Sequence, residues 1–408
     1  MKRDLNHLMK EKGVNAIFAI LGRQNDTTMY YLLNGIHLSG YYLKKVDSPA
    51  YLIHYPMERE EAKKTGLKLV NINHYKYWDV FNRNPDMIKA QAVLIDKILN
   101  DFGVKGKVAF YGSASIGTSH HLLKRVRSLN KKIEILYEPQ KTLITEARMT
   151  KDEDEIIKIK RARDGVINAY SETLKSVQRM QKKGQFIYQN KHKKLLIGDL
   201  KKMLHSKLFE YGLINSAGII VSQGHDAGVP HNSGEDDQPV MLGKTIVFDI
   251  FPQEIKSGYF FDFTRTVCFG FAPQNVQKEY EIVKEAQDLA ISNLKVGRRT
   301  RDIELEVCKF FEKKGHPTLL KNPKVQNGYC HSLGHGLGLN VHESPAFGLL
   351  KTNYDRLEKG MVFTVEPGLY YPEKGYGIRL EDVVYIDTRG RIINLTNFSK
   401  NLIVEMEF

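Results

Sequence analysis

The chain has 408 residues, 42% apolar and 26% charged, with 61 Lys+Arg against 47 Asp+Glu and a formal charge of +14. That composition is globular and not disordered, and the length allows two or three domains whose cores need no disulfide or metal staple. Cys268, Cys308 and Cys330 form no C-x-x-C pair, which excludes a disulfide framework and a thiolate zinc site, and no run approaches the ~18 apolar residues of a membrane span.

Along the chain, residues 1–146 alternate short strands and helices. Residues 15–21 read as a strand after Gly13, as do 50–55, 67–72 and 107–111, while 87–102 carries apolar residues at helical spacing and ends at Gly103. This alternation predicts an α/β domain. It holds no phosphate loop and no strand-linked G-x-G-x-x-G, so no chemistry is assigned to it. Tyr30, Tyr31, Tyr41 and Tyr42, near Gly35 and Gly40, are residue types enriched in interface cores, and equally suit the domain's own core.

Residues 147–408 open on a helix signal. Thr150 and Glu153 have the spacing of a capping box, and Asp152, Glu153, Asp154 and Glu155 crowd the positive end of the helix that follows. Ile159, Val166, Tyr170, Leu174 and Val177 keep one face apolar to about residue 182. Helices are expected over 199–211, 274–295 and 301–314, and strands over 245–251, 259–269, 361–370, 377–386 and 392–406. Strands clustered apart from helices predict an α+β domain with an antiparallel or mixed sheet and flanking helices.

The lysines are spread through the chain, often beside acids, with no basic stripe interleaved with aromatics. They read as a solvated surface, and no nucleic-acid or membrane partner is expected. Residues 1–7 lack the apolar run of a signal peptide, so a reducing, cytoplasmic setting is expected.

Chemistry concentrates in the second half. Asp249 sits in Val-Phe-Asp-Ile-Phe and Asp262 opens Asp-Phe-Thr-Arg-Thr. His335 sits in Gly-His-Gly, and Glu366 and Glu381 lie in the two strand patterns beyond. An acid between apolar neighbours is costly to bury unless neutralised. Each alone reads as readily as a solvent-facing strand residue, but one shared divalent centre accounts for all of them. Four carboxylates carry −4 and two divalent cations +4, leaving a neutral imidazole and a neutral cluster that can hold and activate a bridging hydroxide, with the cations ~3.5–4 Å apart. Oxygen-rich ligation with one histidine suits Mn²⁺, and Co²⁺, Fe²⁺ and Zn²⁺ are compatible. Glycines 334, 336 and 338 are spaced G-x-G-x-G, which is no dinucleotide fingerprint; they are expected to let backbone come close.

In their order these motifs closely resemble those of the prolidase, aminopeptidase P and creatinase superfamily, whose catalytic domain has the pita-bread fold. Besides the runs quoted, the match includes His342-Glu343, Glu366-Pro367-Gly368 and Gly377-Ile378-Arg379-Leu380-Glu381-Asp382. The resemblance implies Asp249, Asp262, His335, Glu366 and Glu381 as ligands of two metal ions, with Glu366 also shuttling a proton. It implies His342 and His231 as histidines acting at the scissile bond, and His331 as a further substrate-side histidine. Arg379 would steer a ligand carboxylate or pair with an acid, sharing a strand face with Glu381. The interval from Asp249 to Asp262 is slightly longer than the family's commonest spacing, which a longer turn around Lys256-Ser257-Gly258 accommodates. Residues 1–146 match only in general layout, and by analogy a homodimer is expected.

The implied reaction is hydrolysis of Xaa-Pro bonds, in dipeptides or in peptides with proline second. Methionine aminopeptidases share the His342-Glu343-Ser344-Pro345 pattern but usually lack an N-terminal domain of this size and the Gly-Ile-Arg-x-Glu-Asp strand. Creatinases lose the ligands, and all five survive here. A methionine aminopeptidase-like peptidase, a non-peptidase lyase with an iron centre and a catalytically silent binding protein are the alternative readings.

Overall fold

In the computed structural model, which describes residues 4–22, 27–139 and 141–407, the chain divides into two units, Met1–Arg148 and Met149–Phe408. The apolar strand Ala16–Leu21 lies inside a six-stranded mixed sheet of the first unit, antiparallel to Gly40–Lys45 and parallel to Gly106–Gly112. Parallel neighbours require crossovers, and the helix Met87–Asp101 lies on one of them. It starts where the Asp86 side chain accepts from the Lys89 amide at 3.1 Å, and it buries Ala90, Leu94, Ile95, Ile98 and Leu99.

The strand Gly40–Lys45, not expected from the sequence, takes Tyr41 and Tyr42 into this sheet. Tyr31, Tyr41 and Tyr42 are at most 3% exposed. They belong to the unit's own core, so the expected homodimer draws no support from them.

The second unit begins with the helix Glu153–Gln178, shorter than expected and differently capped. Thr150 bridges Met361, and the Lys151 amide donates to Gly360 O at 2.8 Å, so the chain is still extended there. The cap is therefore Asp152, whose amide donates to Glu155 Oε2 at 2.8 Å; Thr150 and Glu153 do not form the box.

Two sheets carry the site. One runs Ile220–Gln223, Thr245–Ile250, Phe263–Phe269, Ile403–Val404; the other runs Glu343–Phe347, Gly334–Gly336, Val362–Val365, Asp382–Ile386, Ile392–Asn394. The helices Gln274–Ser292 and Thr300–Lys313 share a buried core with the second sheet through Val283, Ala286, Val307, Phe311, Phe363 and Val384.

Three strands expected to be continuous are broken, and of residues 392–406 only Ile392–Asn394 and Ile403–Val404 are strand, in different sheets. Residues 361–370 divide into Val362–Val365 and Gly368–Tyr371, and 377–386 into Tyr376–Arg379 and Asp382–Ile386. Pro367 has no amide hydrogen with which to extend the ladder, so the chain leaves the five-stranded sheet and pairs in a separate ribbon, Gly368–Tyr371 with Tyr376–Arg379. Glu366 and Glu381 sit in the breaks of 361–370 and 377–386, respectively. Among the described residues, no helix is long and apolar enough to cross a membrane.

Candidate metal centre

Asp249 lies on Thr245–Ile250, directly across the antiparallel ladder from Thr264. Asp262 immediately precedes the Thr264 strand and is 3% exposed. Between them, residues 253–260 fold back through a turn, as the longer spacing anticipates. His335 is the middle of Gly334–Gly336, a strand so close to its neighbours that a Cβ at Gly334 would run into Thr364 O and one at Gly336 into Ser344 O.

The cavity that results has a volume of about 780 Å³, and all nine site residues named from the sequence line it. Asp262, His335 and Glu381 each offer a ligand atom, and these atoms lie within 4.8 Å of one another. His335 Nε2 is 3.2 Å from Glu366 Oε1 and 3.6 Å from Asp262 Oδ2. The His335 ring is oriented from behind, with Nδ1 3.1 Å from Gly336 O. A carbonyl only accepts, so Nδ1 carries a hydrogen; Nε2 faces Glu366, and an incoming cation that displaces its proton would find the lone pair there.

Two threonines brace the acids. Thr264 Oγ1 is 3.0 Å from Asp249 Oδ1 and 2.7 Å from Glu381 Oε2. Thr364 Oγ1 accepts from the His335 amide at 3.0 Å and donates to Glu366 Oε1 at 3.2 Å.

Electrostatics marks the cluster as short of positive charge. Burial, and then the charges of Glu381, Asp249 and Glu366, hold the Asp262 carboxyl well above its ordinary range. Burial, with Glu366 and Asp249 next, pushes Glu381 up to about 8. Burial also opposes ionisation of Glu366, but the hydrogen bond and charge of His335 outweigh it and bring Glu366 down to about 2. His335, disfavoured by burial, is lifted by Glu366 to about 9. Glu381 Oε1 is buried without a hydrogen-bond partner among the described residues. A divalent cation would satisfy that oxygen and relieve the repulsion together, and a set of carboxylates with one imidazole fits such an ion.

The remaining expected residues divide. Arg379 ends the ribbon strand and Glu381 lies beyond it in the break, so they reach the cavity without the alternation of one continuous strand. The guanidinium is committed to the protein: Nη2 lies 2.5 Å from Asp249 Oδ2, and Nη1 donates to Tyr370 Oη at 2.8 Å. The acid it pairs with, Asp249, is itself one of the five carboxylate and imidazole groups implied as ligands. His331 has both nitrogens engaged, Nε2 2.8 Å from Tyr370 Oη and Nδ1 2.8 Å from Ser332 O. His342 and His231 are exposed at the cavity, the His342 ring edge-on to His335 with centroids 4.2 Å apart.

Thr264, Thr364 and Tyr370 were missed from the sequence. Thr264 was readable in principle: two residues beyond Asp262 in a strand pattern, it shares that acid's face. Tyr370 carries no such signal, because the ribbon that turns it inward exists only after the break at Pro367.

The model of metallopeptidase family M24 matches residues 170–388. The chain is 26% identical to the Xaa-Pro dipeptidase of Pyrococcus horikoshii over 398 residues, 96% of each chain. It is 34% identical to that of Pyrococcus furiosus over 174 residues, 42% of this chain and 45% of that one. With several curated relatives the match spans about half of their length. The crystal structure of an X-Pro aminopeptidase from Thermotoga maritima superposes with a TM-score of 0.73 at 25% identity, covering 97% of this chain and 99% of that one. A Xaa-Pro dipeptidase from Bacillus anthracis gives 0.74 at 23%, covering 98% and 97%.

Proposed function

This chain belongs to metallopeptidase family M24, and on that footing we propose that it hydrolyses Xaa-Pro bonds using two divalent cations held by Asp249, Asp262, His335, Glu366 and Glu381. The observation that carries the reading is the convergence of these five side chains on one cavity in which a buried Glu381 oxygen lacks a partner among the described residues. Mn²⁺ is the expected ion, with Co²⁺, Fe²⁺ and Zn²⁺ also suited to the donors. Bound cations supply Lewis-acid activation of a water and of the scissile carbonyl.

The protein's own groups do the rest. Hydrolysis adds a water oxygen to the carbonyl carbon, breaks the C–N bond and delivers a proton to the proline nitrogen. Glu366 accepts the proton that the water gives up and returns it to that nitrogen. His231 and His342, exposed at the cavity, contact the carbonyl oxygen as it gains charge. Arg379 holds Asp249 while Tyr370 and His331 brace Arg379 from the other side. The Xaa-Pro amide has no N–H and a fixed φ, so a cavity shaped to the ring selects it. Similarity to Xaa-Pro dipeptidases and an X-Pro aminopeptidase supports this substrate class.

A substrate panel tests it. Mn²⁺-loaded protein should cleave an Xaa-Pro dipeptide or a longer Xaa-Pro peptide at least about tenfold faster in kcat/KM than the matching Xaa-Ala compounds. Equal cleavage of Xaa-Ala would point to a methionine aminopeptidase-like enzyme. Consumption of a sulfonium substrate alone would point to a lyase, and no turnover at all to a binding protein.

A further inference from the structure

The helix Gln274–Ser292 buries Val276, Tyr280, Val283, Gln287 and Ala290, at steps of four, three, four and three that define its core-facing stripe. Gln287 is the one side-chain amide in that stripe, and it is 0% exposed. An apolar residue would fill the position without burying a polar group, and Gln287 Oε1 finds no partner among the described residues.

Its nitrogen is fully used. Nε2 donates to Val365 O at 2.9 Å and to Leu380 O at 3.0 Å. Both acceptors are carbonyls, so they fix which end of the amide faces them. Val365 immediately precedes Glu366, and Leu380 immediately precedes Glu381. Each carbonyl lies beside a strand break, where the donors of the sheet ladder run out and another source must be found.

We infer that Gln287 is a positioning residue for the metal centre: the two N–H bonds of one planar amide tie the two strand breaks together and set the spacing between the carboxylates of Glu366 and Glu381. The inference rests on the reading of those two acids as ligands. Gln287 touches neither ion nor substrate and acts through the main chain. Misplacement by about 1 Å is enough to cost about 100-fold in rate. Removing a partner that orients a ligand typically costs about 10–100-fold in metal affinity or activity.

The test uses the full chain stripped of metal and titrated with Co²⁺, followed by the ion's visible absorbance. Gln287→Met keeps the volume and loses both donors; Gln287→Asn keeps the donors but draws them back by one methylene. Each variant should lose about 10–100-fold in affinity for at least one ion and change the Co²⁺ spectrum. On an Xaa-Pro dipeptide kcat should fall comparably while KM moves less than about threefold. A folded Gln287→Met with wild-type affinity, spectrum and kcat overturns the inference; if that variant does not fold, Gln287→Asn decides by the same readings. A wild-type chain that binds no Co²⁺ removes the ligand reading, and the inference with it. Normal binding by wild type and variants alike removes the inference alone.

Discussion

Asp262→Asn will lower hydrolysis of an Xaa-Pro dipeptide by more than about 100-fold, because even a partner that merely orients a ligand costs about 10–100-fold when removed. The substitution is nearly isosteric. It preserves an oxygen for the Phe263 amide, which donates to Asp262 Oδ1 at 3.0 Å. It removes a negative charge from a site where burial, Glu381, Asp249 and Glu366 already disfavour that charge. The metal-free variant should therefore unfold at or above the wild-type temperature near neutral pH, since the repulsion it relieves exists only in the folded state. Lost turnover with intact or raised metal-free stability is the expected pair of results, read by kinetics and by thermal unfolding monitored by circular dichroism. Full hydrolysis by the folded variant would take Asp262 out of the centre.

His342→Ala should leave the ions in place and lose turnover. The imidazole faces the cavity beside His335, placed to exchange a proton with the reacting groups, and partial desolvation there holds it below its ordinary range. General acid–base groups contribute about 10²–10⁴-fold, and kcat should fall within that range. Ion content measured on the desalted variant separates the roles. An unchanged count with lost kcat makes His342 a proton-transfer and orienting group; ions lost together with activity would make it a ligand.

His335 and Glu366 were the most legible, because each sits beside a residue whose backbone chemistry is distinctive, Gly334 and Gly336 for the one and Pro367 for the other. Pro367 beside Glu366 is the clearest case. The proline marks where a strand must leave its sheet, although the sequence pattern alone ran the strand straight through. The same oversight at Leu380-Glu381 had no proline to warn of it, since only tertiary pairing ends the strand there.

The first unit shows the opposite failure. Tyr41 and Tyr42 looked as suitable for an interface as for a core, and burial in the strand Gly40–Lys45 decided between them. The helix cap moved from Thr150 to Asp152 because Thr150 is held by a bridge to Met361, a contact 211 residues away along the chain that no local pattern encodes. Gln287 did leave a trace, a polar residue in an apolar stripe, but its meaning depends on two carbonyls that approach it only in the folded chain.

That two divalent ions held by five side chains carry Xaa-Pro hydrolysis is tested most directly by counting ions against turnover in one preparation. Metal-free protein is loaded stepwise with Mn²⁺ and desalted, and each fraction is analysed for bound metal and for hydrolysis of an Xaa-Pro dipeptide. Hydrolysis that is absent without metal and reaches its full rate at about two ions per chain is the expected result. Undiminished hydrolysis by the metal-free chain, or a folded chain that retains no ion, would contradict it.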